Sequence, residues 1–574
     1  MTDADGDKSD LSFEVWTTDA NGNAKDRVLL TDANKYGILV SDFVVSGKFA
    51  EVLVPYGKLK QGVTYTFHTS AYDGTLYETD WSPWAKFRIR GRALDIKLPE
   101  PDKAAPNPDL DAYQEPQEAK RTVAAPSLRK SAPGQGENCT EVGHNKISCQ
   151  EVGEYNELTK EQKAFVERRL TATKDASDLV SWCGDTASGV DWFKRTEACM
   201  KRATPIHEIA YSKLPNGQVI KVGEATFASV VQMKLDPQST TFQQEWTVIP
   251  VDFSDFEGKK SEWGPLTVAP DFSCAPQCST SSPVWRGFPT WSTTGTDLHT
   301  AVATLTHTAS GTDTNPISQV KMTWKWKASL PDMVQDLGGG DLGTSTPDLD
   351  VRCDKVADPA KPGCVFSAYR PTWVFNTKKY PAAAAHAWLM QSKLANHPGS
   401  KTAGKPMKYL PTDPAKNGPE RDPDENRAVI CPDGWAKKYG NPNTTPVDAS
   451  DTVSCDEYAF AATYNSGGMP ASKGGLNEVL TGNDCVQTYA TRVQQGEFHL
   501  YDDDRVASPS WREVCGRSSM SSWQNSGSMS GFSSTFSAPG KYHLLDKDEY
   551  WVRAPGFEHC DASKATVSCT YPKP

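Results

Sequence analysis

Two carboxylates stand side by side at Asp456-Glu457, within the run Cys455-Asp456-Glu457-Tyr458-Ala459-Phe460-Ala461-Ala462 and just ahead of Asn465-Ser466-Gly467-Gly468. Adjacent acids at the mouth of an apolar stretch suit a grip on a hard divalent cation such as Mg2+ or Mn2+, which prefers carboxylate oxygens. A cation held this way offsets the charge that builds on a phosphate and its leaving oxygen during hydrolysis, and it orients water. Read as helix, successive residues point about 100° apart. One acid would then ligate the metal, Asp456, while Glu457 shares the ligation or acts as a general base. The plainer use of such a pair is to cap a helix in favour of its dipole.

Elements on either side must position these acids. Pro381-Ala382-Ala383-Ala384-Ala385-His386-Ala387-Trp388-Leu389-Met390 predicts a helix, with proline in its first turn and a stop near His397-Pro398-Gly399. Further on comes Gln524-Asn525-Ser526-Gly527-Ser528-Met529-Ser530-Gly531-Phe532. Gln524 and Asn525 are candidates for orienting water or touching a phosphate, and Ser528 for donating to it. His386 is a candidate base, because imidazole titrates near neutrality. Each has an ordinary alternative, a buried structural amide or a packed histidine. Asp502-Asp503-Asp504 reads as a solvated turn.

In order and spacing these blocks resemble the NucA/NucB-type deoxyribonuclease domain family. The resemblance rests on Tyr380-Pro381 with His386, on the Asp456-Glu457-Tyr458 segment, and on Gln524-Asn525 leading to Leu544-Leu545-Asp546-Lys547-Asp548-Glu549-Tyr550-Trp551-Val552. Ala459 stands where most members carry proline, and Asn465-Ser466 replaces an acidic pair that some members place before Gly-Gly. The resemblance implies an α+β nuclease domain over residues 375–574, a Mg2+ or Mn2+ cofactor, and DNA as substrate. It also implies a catalytic set of Asp456, Glu457, Asn525, Gln524 and His386.

Upstream, residues 1–92 alternate apolar and polar positions at Phe13/Val15, Phe43/Val45, Val52/Val54, Val63/Tyr65/Phe67 and Phe87/Ile89, the period of strands with one buried face. Turns are expected at Asn21-Gly22 and Asp73-Gly74. The stretch from Gly62 to Gly74 with Trp81-Ser82-Pro83-Trp84 resembles fibronectin type III-like modules, which implies a β-sandwich that spaces or binds; a cell-wall or polysaccharide ligand is the partner expected of the N-terminal domains. The opening Asp3-x-Asp5-Gly6-Asp7 reads as a solvated acidic terminus rather than a calcium loop. Residues 93–138, rich in proline and poor in large apolar residues, read as an extended linker. Residues 139–374 read as a disulfide-braced, β-rich domain. There Thr159-x-x-Gln162 predicts a capped helix and Met322, Trp324 and Trp326 share one strand face, a stripe for a core or for stacking on sugars. Leu337 to Gly343 reads as a flexible loop.

The chain of 574 residues is long enough for several cores, so a multidomain, β-rich protein is expected. A net charge of −11 and the lack of a basic stripe exclude a tight, sequence-specific nucleic-acid binder, while leaving room for an enzyme that must release its substrate. The 14 cysteines fall largely into close couples, Cys139/Cys149, Cys183/Cys199, Cys274/Cys278, Cys353/Cys364 and Cys560/Cys569, which point to disulfides and an oxidising compartment. Pairing of Cys431, Cys455, Cys485 and Cys515 stays open. Scattered histidines disfavour structural zinc. No apolar run is long enough to span a membrane. Met1 to Asp7 has no leader-like core, so a misplaced start or a fragment of a longer secreted protein is expected. A monomeric secreted nuclease leads; a surface adhesion protein with an inactive nuclease-like end and a secreted nuclease toxin are the competing expectations.

Overall fold

Alternation of apolar residues turns one face of each N-terminal strand into a small core. In this computed structural model, which describes residues 6–110, 117–119, 134, 139–172, 179–254, 265–292, 299–313, 316–329, 340–412 and 421–574 apart from positions 56, 61, 79, 90, 144 and 154, Lys8–Thr18 pairs antiparallel with Thr64–Tyr72. Val15, Leu30 and Tyr65 are buried together, with Phe67, Phe87 and Ile89 packed on them. Six strands join this sheet. Gly22 makes the expected turn at φ 81° and Gly74 the next at φ 99°, in the left-handed region that glycine enters freely. Val52–Val54, expected as a strand, runs unpaired. Of the acidic opening, Asp3 and Asp5 lie outside the described residues.

The middle region builds two sheets. Glu197–Lys213, Val219–Asp236, Ser239–Ser254 and Ala301–Ala309 follow one another antiparallel in the first, and Ile317–Ser329 is the hub of the second. Met322, Trp324 and Trp326 are at most 2% exposed and share one core with Trp246 and Phe227 of the first sheet. The tryptophan stripe therefore fills the space between sheets and offers no ring to a sugar. The helix Lys160–Ala172 begins as expected: Thr159 Oγ1 accepts from the Gln162 amide, and Gln162 Oε1 from the Thr159 amide. Gly340–Thr344, read as flexible loop, pairs instead with Ile317–Ser329; residues 337–339 lie outside the described set.

The segment expected to be a linker is corrected most. Leu94, Ile96 and Leu98 alternate with Asp95 and Lys97, the period of a strand, and Leu94–Pro99 (β1) is built into the C-terminal sheet with all three apolar side chains at most 1% exposed. Gln117–Ala119 pairs with Asp191–Phe193. Proline-rich neighbours concealed both strands. The sheet orders Val453–Tyr458 (β2), Gly516–Ser521 (β5), Val486–Gln494 (β3), Glu497–Asp502 (β4), β1 and Val567–Thr570 (β6). Asp502, read as part of a solvated turn, is fully buried and its Oδ1 accepts from the amides of Ala93 and Leu94, fastening β1 in place. Asp503 is buried too, held by Arg505 and Asn441.

Three helices matter for the site: α1, Pro381–Lys393; α2, Pro423–Ile430; and α3, Ser522–Ser528. The alanine run lets α1 lie close against the sheet, where it buries nearly every side chain. All five expected cysteine couples are bonded, and the open four pair as Cys431–Cys455 and Cys485–Cys515. The chain is thus β-rich, multi-sheeted and braced by seven disulfides among the described residues. Among those residues no helix is long and apolar enough to cross a membrane.

Candidate functional site

Asp456 and Glu457 lie on a strand, which corrects the helical reading. In β2, Asp456 sits opposite Ser518 and Glu457 opposite Arg517 of β5. Neighbouring side chains of a strand leave by opposite faces. Asp456 therefore shares a face with Ser454 and Tyr458, and Glu457 shares the other with Cys455. Tyr458 belongs to the core beneath α1, so Asp456 is on the helix-covered face. A joint grip by both acids on one ion does not form.

The Glu457 face is filled. Glu457 is 8% exposed and accepts from Arg427 Nε at 3.1 Å. Burial pushes its carboxyl upward and Arg427 opposes that. Beside it, Arg517 donates to the Ile430 carbonyl, Asn483 Oδ1 and Gln487 Oε1, and lies over the Trp435 ring at 3.9 Å. The Cys431–Cys455 bond ties this side of β2 to the end of α2.

The Asp456 face is different. Asn525 of α3 donates through Nδ2 to Ser454 Oγ (3.0 Å) and to the Cys455 carbonyl (2.7 Å), pinning α3 along β2 and leaving Oδ1 as the only side-chain atom it can offer a ligand. Gln524, fully buried, accepts through Oε1 from the Ala382 amide in the first turn of α1 at 2.7 Å. One turn further along the same helix face, His386 is 1% exposed and meets Thr488 Oγ1 of β3 through Nδ1 at 3.1 Å. Thr488 is in register with Ser518, and Ser518 with Asp456. Asp456, His386, Gln524 and Asn525 are thus gathered where α1 and α3 cover β2, β5 and β3. Three buried polar atoms there have no hydrogen-bond partner: His386 Nε2, Ser518 Oγ and Gln524 Nε2.

Electrostatics sharpen the contrast between faces. Burial, then the charge of Glu457, pushes the Asp456 carboxyl well above the usual carboxylate range, and Arg427 is the weakest of the influences on it. Burial pushes His386 down to about 3, so at neutral pH it is uncharged. Burial thus takes His386 out of the near-neutral titration range on which its candidacy as a base rested. Ser528 Oγ donates to the Asn525 carbonyl, a bond internal to α3, and so does not offer its proton outward.

Ser518 and Thr488 escaped sequence reading, since only strand register places Ser518 beside Asp456 and Thr488 beside Ser518. A cavity of about 240 Å3 flanks the end of α3, lined among others by Trp373, Tyr380 and Gly527. A cavity of about 550 Å3 lies elsewhere, where the middle region meets the C-terminal one around Arg352 and Asp548. The donor set fits a hard cation in part: one carboxylate from Asp456 and one amide oxygen from Asn525, the small protein share that Mg2+ takes when water and phosphate supply the rest. Among the described residues the one cluster of three ligand-type side chains is His559, Cys560 and Cys569, whose two sulfurs are bonded to each other and so hold no metal as thiolates. No family model matches the chain, and no curated protein matches it.

Proposed function

We propose that the C-terminal unit is a divalent-metal-dependent phosphodiester hydrolase acting on DNA, carried by a protein of an oxidising, extracellular compartment. The observation that carries this reading is the Asp456 carboxyl, partly buried, only weakly compensated by Arg427, and close to buried polar atoms without partners. Buried polar groups are ordinarily satisfied, and exceptions call for an explanation, of which a catalytic role or a bound ion is one. The block-by-block likeness to NucA/NucB-type nucleases supports the same assignment. Seven disulfides are compatible with export.

In this reading Asp456 and Asn525 Oδ1 hold the cation, which when bound offsets charge on the phosphate and lowers the pKa of water. Gln524 Nε2 and Ser518 Oγ are donors for non-bridging phosphate oxygens, where charge develops during hydrolysis. Neutral His386 keeps Thr488 and its own Nε2 in fixed positions. Glu457 serves the strand by pairing with Arg427 and does not touch substrate.

Cleavage of plasmid and linear DNA by the full chain, with Mn2+, with EDTA, and with Mn2+ restored after EDTA, tests the assignment. Cleavage that vanishes with chelator and returns with metal is expected. Absence of cleavage under all metals tried, or cleavage indifferent to EDTA, contradicts it.

A further inference from the structure

The N-terminal sheet carries a second feature, on the face turned away from its core. Strand Lys8–Thr18 sets Trp16, Glu14 and Asp10 opposite Thr66, His68 and Tyr72 of strand Thr64–Tyr72. Opposed residues share a face. The core uses the alternate positions, Val15, Tyr65 and Phe67, so these residues look outward.

Aromatic rings cover that outward face. Trp81 and Trp84 lie 4.2 and 3.8 Å from the His68 ring, at 21° and 14° to it. Two near-parallel rings this close must take opposite sides, so His68 is stacked between them. Trp16 meets Trp84 edge-on at 6.2 Å. Two pairs of residues along the strand, Tyr77 stacks on Tyr72 at 4.4 Å. Four residues of strand span about 13 Å. Trp81, Trp84 and Tyr77 remain 40%, 46% and 67% exposed. A contiguous exposed aromatic patch of this kind marks an interaction site.

The patch is built rather than incidental. Glu14 is 5% exposed, yet its Oε2 accepts from Trp16 Nε1 (3.1 Å) and meets His68 Nε2 (2.7 Å). A buried carboxylate thereby fixes the azimuth of two rings in an exposed stack, which lowers the ordering cost of binding. Charge narrows the partner. The face carries both signs, Asp73, Glu78 and Asp80 in residues 69–85 against Lys86 opposite Thr66 and Arg27, which lies over Trp16 and pairs with Glu14, so it offers no single-sign field to a polyion. Partly exposed aromatic rings spread along a strand suit an extended neutral chain with apolar C–H faces and hydroxyl edges. They do not form the enclosing box that recognises a quaternary ammonium group.

We infer that Trp81, Trp84 and Tyr77 form a binding platform for a neutral, β-linked polysaccharide chain, separate from the Asp456 site. Native affinity electrophoresis of the full chain, in gels containing hydroxyethyl cellulose or glycol chitin, tests this. Retardation of the wild type by at least one of these polymers is expected. Trp81→Ala and Trp84→Ala should each weaken it by about three- to tenfold, the worth of one well-placed ring contact, and the double variant should remove it. Tyr77→Ala, at the far end of the patch, should weaken it less. Circular dichroism melts should show each variant still folded, since none of the three side chains belongs to the module's core. An unretarded wild type in both gels, equal retardation of the double variant, or retardation abolished by choline would overturn the inference.

Discussion

Asp548 and Asp456 are both acids withdrawn from water, and their surroundings differ at every point. Asp548 is answered by two arginines, Arg195 and Arg352, which also donate to the carbonyl of His543; Asp354 completes the group through Arg352 and His543 Nε2. Burial acts to raise Asp548, but Arg352 and Arg195 hold it below the usual carboxylate range. Asp456 has only the weak pull of Arg427, and in the cluster around it His386, Ser518 and Gln524 each keep an unpartnered atom. Closed networks fasten segments together, here residues 195 and 352–354 of the middle region to residues 542–548 of the C-terminal one. An open one lowers stability unless something else completes it, and folds tolerate this chiefly where a ligand arrives.

Breaking the closed network gives the largest expected effect. Arg195→Met leaves a buried carboxylate with half its partners and should destabilise by about 3–5 kcal/mol in denaturant unfolding. Asp456→Asn, which removes a carboxyl whose charged form burial disfavours, should in the same measurement cost nothing or stabilise. Equal losses in both variants would erase the distinction between the sites.

Acid sharpens it further. The folded-state values of Asp354, which burial acts to raise but His543 and Arg352 hold down, and of Asp548 are depressed. A carboxylate depressed on folding stabilises above its unfolded value near 3.9 and loses that contribution as pH falls through the folded one. The part of the thermal midpoint's pH dependence removed by Arg352→Met should therefore lie below about pH 4. A removed part lying near pH 6 would place its origin in a histidine instead.

A smaller effect is expected at the open site's own scaffold. Gln524→Ala deletes the bond to the Ala382 amide, and one neutral hydrogen bond is worth about 1 kcal/mol. Stability should drop by that order while DNA cleavage drops further, because the donor Nε2 is lost as well. Loss of stability with unchanged cleavage would make Gln524 a structural amide.

Much of the scaffold was legible in local signals. Pro381 and the alanine run announced α1, Thr159 and Gln162 announced their helix, and short spacing announced five disulfides. The failures share one cause, tertiary pairing. The stretch Asp456-Glu457-Tyr458-Ala459 suits a helix locally, yet pairing with β5 makes it a strand and sends the two acids to opposite faces. β1 was hidden because its period-two alternation is brief and proline-rich sequence follows it. The Arg195–Asp548 pair joins residues 353 positions apart and carries no spacing signal. Within the proposed site, Asp456, Gln524, Asn525 and His386 were singled out from order and type, while the positions of Ser518 and Thr488 and the opposite face of Glu457 required the register.

The most direct test compares the two neighbours on β2. Initial rates of DNA cleavage at saturating Mn2+ are measured for the wild type, Asp456→Asn and Glu457→Gln, with melting curves for all three. Asp456→Asn should lose at least about a hundredfold, as expected of several kcal/mol of transition-state stabilisation, without loss of fold. Glu457→Gln, whose partner Arg427 is half exposed, should stay within a fewfold of wild type and within about 1 kcal/mol in stability. Equal, large losses of cleavage in both variants, each still folded, would contradict the assignment of the two acids to separate tasks.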